Sequence, residues 1–478
     1  MKKRKTPILK NHVLQEKTHN IDDTIVAVAT PLGVGAIGII KLSGKHSIDI
    51  ISGFCRTRSK RDISRLPNFK LTLCDIFDTE LHQALDEGLI VLMRGPFSYT
   101  REDVVEIQIH SNPFIVQRIV QICIDHGARL ADPGEFTRRA FMNGRIALSQ
   151  AEAVAEMVKA QSEQALICSF RSLQGLFGEK ITLWQKSLVS IQAYIQAECD
   201  FPGHFIDDIQ TLISKEINAI VEDIEKQYDR SKKYQLMQHG FLVMICGKPN
   251  VGKSSLLNSI LGKDRAIVTP IPGTTRDAIE EVIQIDGFPF RFVDTAGIRE
   301  SHDTIEKIGI DKARQYLEEA HLVIVIFDRS QDLQDEDYKI VELVKQKPHI
   351  IVLNKSDLMP KLDISQIGTL YPRKNIIEIS ALSGNGVDDL IHAIIEETRW
   401  MKNDYENDYF AINTRQQKEL SQSVKYLGNV MQALEMDYPI DILSLDIDYA
   451  LRCLKRINGE DIDQDILDTI FTSFCLGK

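Results

Sequence analysis

Apolar residues change period along this chain, and the changes divide it. Between residues 24 and 110 they fall in short runs separated by turns. Thr24–Ala29, Ile37–Leu42, Leu89–Met93 and Asp103–His110 read as strands. In the last of these, Val105, Ile107 and Ile109 alternate with Glu106, Gln108 and His110. That period of two puts the two sets on opposite faces of a strand. Asn112–His126 then reads as a helix. Residues 147–199 carry no proline, and Ala151, Val154, Ala155 and Val158 recur at helical spacing, so this stretch is a long helical region. Phe201-Pro202-Gly203 interrupts it and Ile206–Lys233 resumes it.

At Phe241 the pattern becomes apolar strands alternating with helices. The strands are Phe241–Cys246, Ala278–Ile285, Phe288–Val293, Leu322–Phe327, Ile350–Leu353 and Ile376–Ile379, with Asp286-Gly287 as a tight hairpin turn. Such alternation implies a mostly parallel sheet covered by helices on both faces. From Thr398 to Lys478 the chain is helix-like again. The simplest arrangement is an α/β domain inserted into a helical domain whose halves flank it.

Length and charge refine this picture. The 478 residues allow about three domains. The net charge of −11 argues against a general duplex-DNA coat, which is built on phosphate neutralisation. Charge is uneven: residues 1–20 carry +5, so the remaining 458 sum to −16. The basic start is not followed by the apolar core of a signal peptide and reads as a tail, residues 1–21. Apolar runs such as Leu322–Phe327 are far too short to span a membrane. Eight cysteines without a Cys-x-x-Cys pair argue against a disulfide scaffold or zinc ribbon and suit a reducing, cytoplasmic setting.

The chemistry concentrates after Phe241. Gly247 to Ser254 matches G-x-x-x-x-G-K-[ST], follows an apolar strand and opens a helix at Ser254–Leu261, the context of a phosphate-binding loop. Asn250, Val251, Gly252, Lys253, Ser254 and Ser255 are its binding stretch. Lys253 suits the β- and γ-phosphates, and the Ser254 hydroxyl suits Mg²⁺. Asp294-Thr295-Ala296-Gly297 ends one strand, placing Asp294 near the metal and Gly297 near the γ-phosphate. Asn354-Lys355-Ser356-Asp357 ends another, and the Asp357 carboxylate can accept two hydrogen bonds from guanine. Adenine lacks that donor pair and would leave the acid unpaired, so GTP is the expected substrate. Ser380-Ala381 can reach the guanine O6. Between these elements lie Thr269, Pro270, Ile271, Pro272, Gly273, Thr274 and Thr275, where a threonine can complete the magnesium shell.

Catalysis is less ordinary. The position after the D-x-x-G element, where Ras-type enzymes use a glutamine to orient water, holds Ile298, with Arg299 and Glu300 the adjacent polar side chains. The catalytic group must therefore come from another residue, a partner or an ion. Asn250 offers a carbonyl oxygen where a monovalent cation can bind beside the phosphates.

Taken together, the chain resembles the MnmE (TrmE) family of tRNA-modification GTPases. The likeness lies in the terminal Phe474-Cys475-Leu476-Gly477-Lys478, the loop Gly273-Thr274-Thr275-Arg276-Asp277 and the run Asp294 to Glu300. It extends to Asp23 to Val26, Ala29-Thr30-Pro31, Pro133 to Arg138 and Ala140 to Gly144. The resemblance implies a multidomain α+β and α/β protein. Its parts are an N-terminal folate-binding-like dimerisation domain (22–142), a helical domain in two halves (143–239 and 399–478) and an inserted Ras-like P-loop GTPase domain (240–398). It further implies a homodimer and a flavin-dependent partner, in a heterotetramer or larger complex. That complex would install an aminomethyl or carboxymethylaminomethyl group at C5 of the tRNA wobble uridine. By position, Asn250, Thr269, Ile271 and Thr274 would hold K⁺, Ser254 and Thr275 would ligate Mg²⁺, and Glu306 would orient the attacking water. Lys41, Glu106, Arg145 and Lys478 resemble the ligands of a reduced folate (5-formyl- or methylene-tetrahydrofolate). The family usually carries arginine and lysine, respectively, where Lys41 and Arg145 stand, and the two cations are not geometrically interchangeable. Cys475 resembles a cysteine needed for modification.

An alternative for the same nucleotide motifs is an RNA-associated switch in ribosome assembly without modification activity. Residues 431–478 hold ten acidic against four basic residues, a poor RNA-binding module. The acidic chain leaves tRNA contact to local basic spots such as Arg129, Arg138, Arg139 and Arg145, or to the partner. Gly33-Val34-Gly35-Ala36-Ile37-Gly38 matches G-x-G-x-x-G, but Ile39–Ser43 reads as a strand where a dinucleotide site needs a helix, so these glycines are expected to form a turn.

Overall fold

The computed structural model describes residues 23–31, 33–201, 209–262, 267–268, 280–294, 314–363, 376–398, 409–474 and 477. Two compact units emerge, Met1–Ala151 with Ile462–Lys478, and Glu152–Asp461.

The first unit is built on a seven-stranded sheet of order β3-β4-β5-β6-β2-β1-β7. Its strands are β1 (Ile25–Val28), β2 (Gly35–Ser43), β3 (Cys55–Thr57), β4 (Thr72–Asp78), β5 (Gln83–Met93), β6 (Val104–Ser111) and β7 (Arg129–Leu130). Alternation in β6 has the expected outcome: Val105, Ile107 and Ile109 are buried while His110 is exposed. The apolar face meets helices α1 (Ser47–Phe54) and α2 (Pro113–Asp125), with Ile40, Leu42, Ile90, Ile107 and Ile119 in one core. Asn112 starts α2 by accepting a hydrogen bond from the Phe114 amide, and Pro113 follows at the first helical position. The G-x-G-x-x-G run opens no helix. It enters β2 from Gly35, with a register shift between Gly35 and Gly38 against β6, so the expected turn is largely strand. Helix α3 (Glu135–Met142) carries Phe141 against Phe471, and Gly134 leaves room for the Phe471 carbonyl, 2.6 Å from where a Cβ would stand.

Helices lead the chain from the first unit into the second. The region from 147 to 199 forms three of them, α4 (Leu148–Lys159), α5 (Glu163–Leu173) and α6 (Leu176–Asp200). Local chemistry makes the breaks: extended Ser162 caps α5 by accepting from the Ala165 amide, and Gly175 precedes α6 at φ 93°. Helix α7 (Ile209–His239) follows. Ile181, Leu188 and Ile195 of α6 and Ile213, Ile217 and Ile224 of α7 share a core with Leu420, Leu427, Ile447 and Leu454 from after the α/β segment.

The α/β segment holds a second sheet of order β14-β13-β12-β8-β11-β10-β9. Strands β8 (Phe241–Cys246), β11 (Phe288–Asp294), β12 (Leu322–Asp328), β13 (His349–Asn354) and β14 (Ile376–Glu378) run parallel, whereas β10 (Glu280–Ile285) is antiparallel to both its neighbours, β11 and β9 (Ile267–Val268). Asp286 and Gly287, at φ 54° and 81°, make the two-residue turn that pairs Ile285 with Phe288. In β8, Val243 and Ile245 enter one core and Leu242 and Met244 the other. Burial on both faces explains the unbroken apolar run.

Candidate functional site

Parallel register gathers the polar motifs at one edge. Asp294 ends β11 opposite Ile245 of β8, and Asp328 ends β12 opposite Asn354, the last residue of β13. Ligands bind at this carboxyl edge of an open α/β sheet. From β8 the chain turns through Asn250 at φ 65° and Gly252 at φ 100° into helix α8 (Lys253–Leu261). Such left-handed residues aim successive N–H groups at a common anion site. Gly252 cannot carry a side chain here, because a Cβ would collide with the Asn354 amide.

Asn354 explains that closeness. Its Nδ2 donates to the Val251 carbonyl at 2.7 Å and its Oδ1 accepts from the Ala381 amide at 2.9 Å. One buried amide therefore ties the phosphate loop to the segment expected beside the base. The Lys355 ammonium lies 2.7 Å from Asp328. Burial pushes the Asp328 carboxyl up, but hydrogen bonds from Lys355 and Ser330 outweigh it and hold the group below the usual carboxylate range. Ser356 donates its amide to the Ile379 carbonyl at 3.0 Å, and Asp357 is exposed. Buried Ser380 accepts from the Ser383 amide at 3.3 Å.

At the phosphate end, the buried Lys253 ammonium donates to the carbonyls of Gly247 at 3.1 Å and Lys248 at 2.8 Å. Ser254 Oγ donates to Asp294 Oδ2 at 2.7 Å, while Ser255 is exposed. A hydroxyl and a carboxylate this close are hard oxygen donors that fit Mg²⁺, an ion that takes one or two protein ligands and leaves the rest to phosphate and water. Two features were not foreseen. Lys248 pairs with Asp337 at 2.6 Å, on the helix Asp335–Val344, and Asp328 partners Lys355. For Asp328 a signal existed: it ends an apolar strand as Asp294 and Asn354 do.

The first unit holds a second cluster. Lys41 of β2 and Glu106 of β6 face each other across the sheet, Nζ to Oε1 at 3.5 Å. The Lys41 ammonium lies 5.7 Å from the Tyr99 ring centre and 5.6 Å from that of Phe136, and the Arg145 guanidinium stacks 4.6 Å from Tyr99. Tyr99 thus joins Lys41 to Arg145, a role its sequence position does not signal. Its hydroxyl bonds Thr137 at 3.0 Å, and burial pushes its pKa up. Two cations, a carboxylate and aromatic faces fit a flat, amine-bearing anion such as a folate. Nearby, Gly477 packs on the end of β1: a Cβ there would lie 2.5 Å from the Val28 carbonyl, and Ala27 is the strand partner of Lys41.

Three of the expected tRNA contacts are corrected. Arg139 is buried between Glu102 and Glu135 at 3.1 and 3.0 Å, Arg129 binds Glu135 at 2.7 Å, and Arg138 binds Asp468 at 2.8 Å. All three guanidinium groups are thus paired with carboxylates of the same unit, Arg139 fully buried and Arg129 and Arg138 half-buried. Thr269, Pro270, Ile271, Pro272, Gly273, Thr274, Thr275, Thr295, Ala296, Gly297, Arg299, Glu306, Cys475 and Lys478 lie outside the described residues. Among the described residues no helix is long and apolar enough to cross a membrane.

Comparison with known proteins agrees with this geometry. A family model described as GTP-binding protein TrmE N-terminus matches residues 24–145, and one described as MnmE helical domain matches residues 148–475. The tRNA modification GTPase MnmE of Clostridioides difficile is 40% identical over 462 residues, covering 96% of this chain and 100% of that protein. Those of Thermoanaerobacter pseudethanolicus and Acetivibrio thermocellus are 39% and 38% identical, with 95% and 96% of this chain and 99% of each relative covered. With one match spanning more than half of the chain and likeness running almost end to end, the chain belongs to the MnmE family of tRNA modification GTPases.

Proposed function

We propose that the chain is a potassium-activated GTP hydrolase working as a homodimer with a flavin-dependent partner in the cytoplasm. Together they install an aminomethyl or carboxymethylaminomethyl group at C5 of the tRNA wobble uridine. The observation that carries the hydrolase half is the Ser254–Asp294 contact of 2.7 Å beside buried Lys253. Lys253 binds the β- and γ-phosphates, and Ser254 with Thr275 holds Mg²⁺. Asn250, Thr269, Ile271 and Thr274 hold K⁺. When bound, the two ions offset the negative charge that develops on the transferred phosphoryl oxygens. Glu306 orients the attacking water, the task that Ile298 cannot perform, and Arg299, next to Ile298 in sequence, assists catalysis. Asn354 keeps the phosphate loop and the base-binding segment in register, so Asp357 and Ser380-Ala381 meet guanine at a fixed distance from Lys253.

In the first unit, Lys41, Arg145 and Lys478 bind the anionic tail of a reduced folate and Glu106 its pterin amines, with Tyr99 supplying a stacking face. Cys475 serves modification rather than hydrolysis. The test is GTP turnover in potassium against sodium at equal ionic strength. A rate much higher in potassium is expected; equal rates would remove the cation from the account.

A further inference from the structure

With Arg129, Arg138 and Arg139 paired with carboxylates, an acidic chain that acts on tRNA needs positive surface elsewhere. One segment supplies it. Residues 56–70, from β3 to just before β4, hold Arg56, Arg58, Lys60, Arg61, Arg65 and Lys70 against the single acid Asp62, a charge of +5 in fifteen residues. All six cations are exposed. Arg58 is occupied by Asp75 and Glu87, and Arg56 lies 4.8 Å from the Phe77 ring centre. Among the described residues, no ion pair joins Lys60, Arg61, Arg65 or Lys70 to a carboxylate.

The segment is anchored. Thr57, Ile63 and Leu66 are buried, and Asp62 caps the short 3₁₀ turn Ile63–Arg65 by accepting from the Ser64 amide at 2.9 Å. Arg94 clips it from β5's far end, donating to the carbonyls of Ser64 and Leu66 at 2.6 and 2.9 Å and to the Asn68 side chain at 2.8 Å. The Phe69 amide donates to the Leu92 carbonyl at 2.9 Å. Phe69 itself takes φ 56°, costly for an aromatic residue, and its ring is 60% exposed. Burial of the ring does not offset this cost, because most of it stays exposed within the basic segment.

We propose that residues 56–70 form an RNA-docking surface, with Lys60, Arg61, Arg65 and Lys70 on phosphates and Phe69 stacked on an unpaired base. Phosphate contacts position an RNA, and aromatic faces hold bases splayed from loops. The chain's membership of a tRNA-modifying family favours RNA over an acidic protein as the occupant. The proposal rests on the tRNA-acting reading above and assigns it a surface.

The experiment measures tRNA binding to the full-length chain by fluorescence anisotropy across a salt series. The probes are wild type, a triple variant Lys60→Glu, Arg61→Glu, Arg65→Glu, and Phe69→Ala. Losing three phosphate contacts should lower affinity by about tenfold or more and reduce the slope of log affinity against log salt by roughly two to three. Phe69→Ala should cost about fivefold or more and leave the slope unchanged, because a ring releases no counterions. RNA-free GTP turnover should stay at the wild-type rate in both, which reports an intact second unit, and an unchanged circular dichroism spectrum and thermal transition report an intact first unit. Should a variant fold poorly, Lys70→Gln with Arg65→Gln tests the same slope. Unchanged affinity and slope in the charge variants would overturn the docking surface while leaving the tRNA reading intact. If wild type itself binds no tRNA, the docking surface is overturned and tRNA contact falls to the partner, with the modification reading still to be decided by the tRNA nucleosides themselves.

Discussion

The nucleotide edge of the second sheet and the Lys41 cluster of the first are built on different principles. At the nucleotide edge, backbone and side chain are interlocked: Asn354 bonds both the Val251 carbonyl and the Ala381 amide, and Lys253 is held by two carbonyls. Geometry there is set by left-handed backbone at Asn250 and Gly252. The Lys41 cluster has no such lattice. Lys41 meets Glu106 through strand register, and Tyr99 and Arg145 meet through ring contact. A site that must read three phosphates and a base at fixed spacing is made stiff. One that holds a single flexible anion can rely on charge and stacking. Changes at the first should therefore be abrupt, and at the second graded.

The largest effect expected is at Lys253. Lys253→Ala should lower GTP turnover by about 10³-fold, as when a preorganised charge facing the reacting oxygens is removed. Phosphate release at saturating GTP checks this. Next comes Asn354→Ala, which strands the Val251 carbonyl and the Ala381 amide together. Two lost partners at about 1–2 kcal/mol each predict a rise in the GTP dissociation constant of roughly 30–1,000-fold. A loss below threefold would mean that the brace is incidental and the two sites are equally soft.

Smaller changes should follow in the first unit. Lys41→Ala should weaken calorimetric binding of 5-formyltetrahydrofolate by about tenfold while GTP turnover stays constant, and Lys41→Arg should keep most of the affinity. The smallest effect is at Asp328. Its folded carboxyl titrates below its unfolded value, so the pairing with Lys355 stabilises above the ordinary aspartate range near pH 4 and is lost as pH falls below it. Asp328→Asn should cost about 1 kcal/mol or less at pH 7 and nothing in acid, measured as the shift of the thermal transition at both pH values.

What was legible in the sequence follows the same divide. Strand-then-motif patterns are local, so β8, β11, β12 and β13 end at or within a residue of where apolar runs stop, and Ser254 and Asp294 meet as spacing implies. Long-range partners were hidden. Arg139 and Glu102 are 37 residues apart, and Arg94 reaches Leu66 across 28, so no window of sequence joins them. For that reason exposed arginines were expected where ion pairs stand, and the surface at 56–70 carried no signal beyond its composition. The helical region from 147 to 199 showed its period but not its breaks, because Ser162 and Gly175 are ordinary residues until their backbone angles are known.

The central claim is that this GTP site serves tRNA modification. Nucleoside mass spectrometry of tRNA tests it, from a strain lacking the chain and the same strain carrying it again. The C5-modified wobble uridine is expected to disappear on deletion and to return with the intact chain. A modified nucleoside that persists without the chain would contradict it.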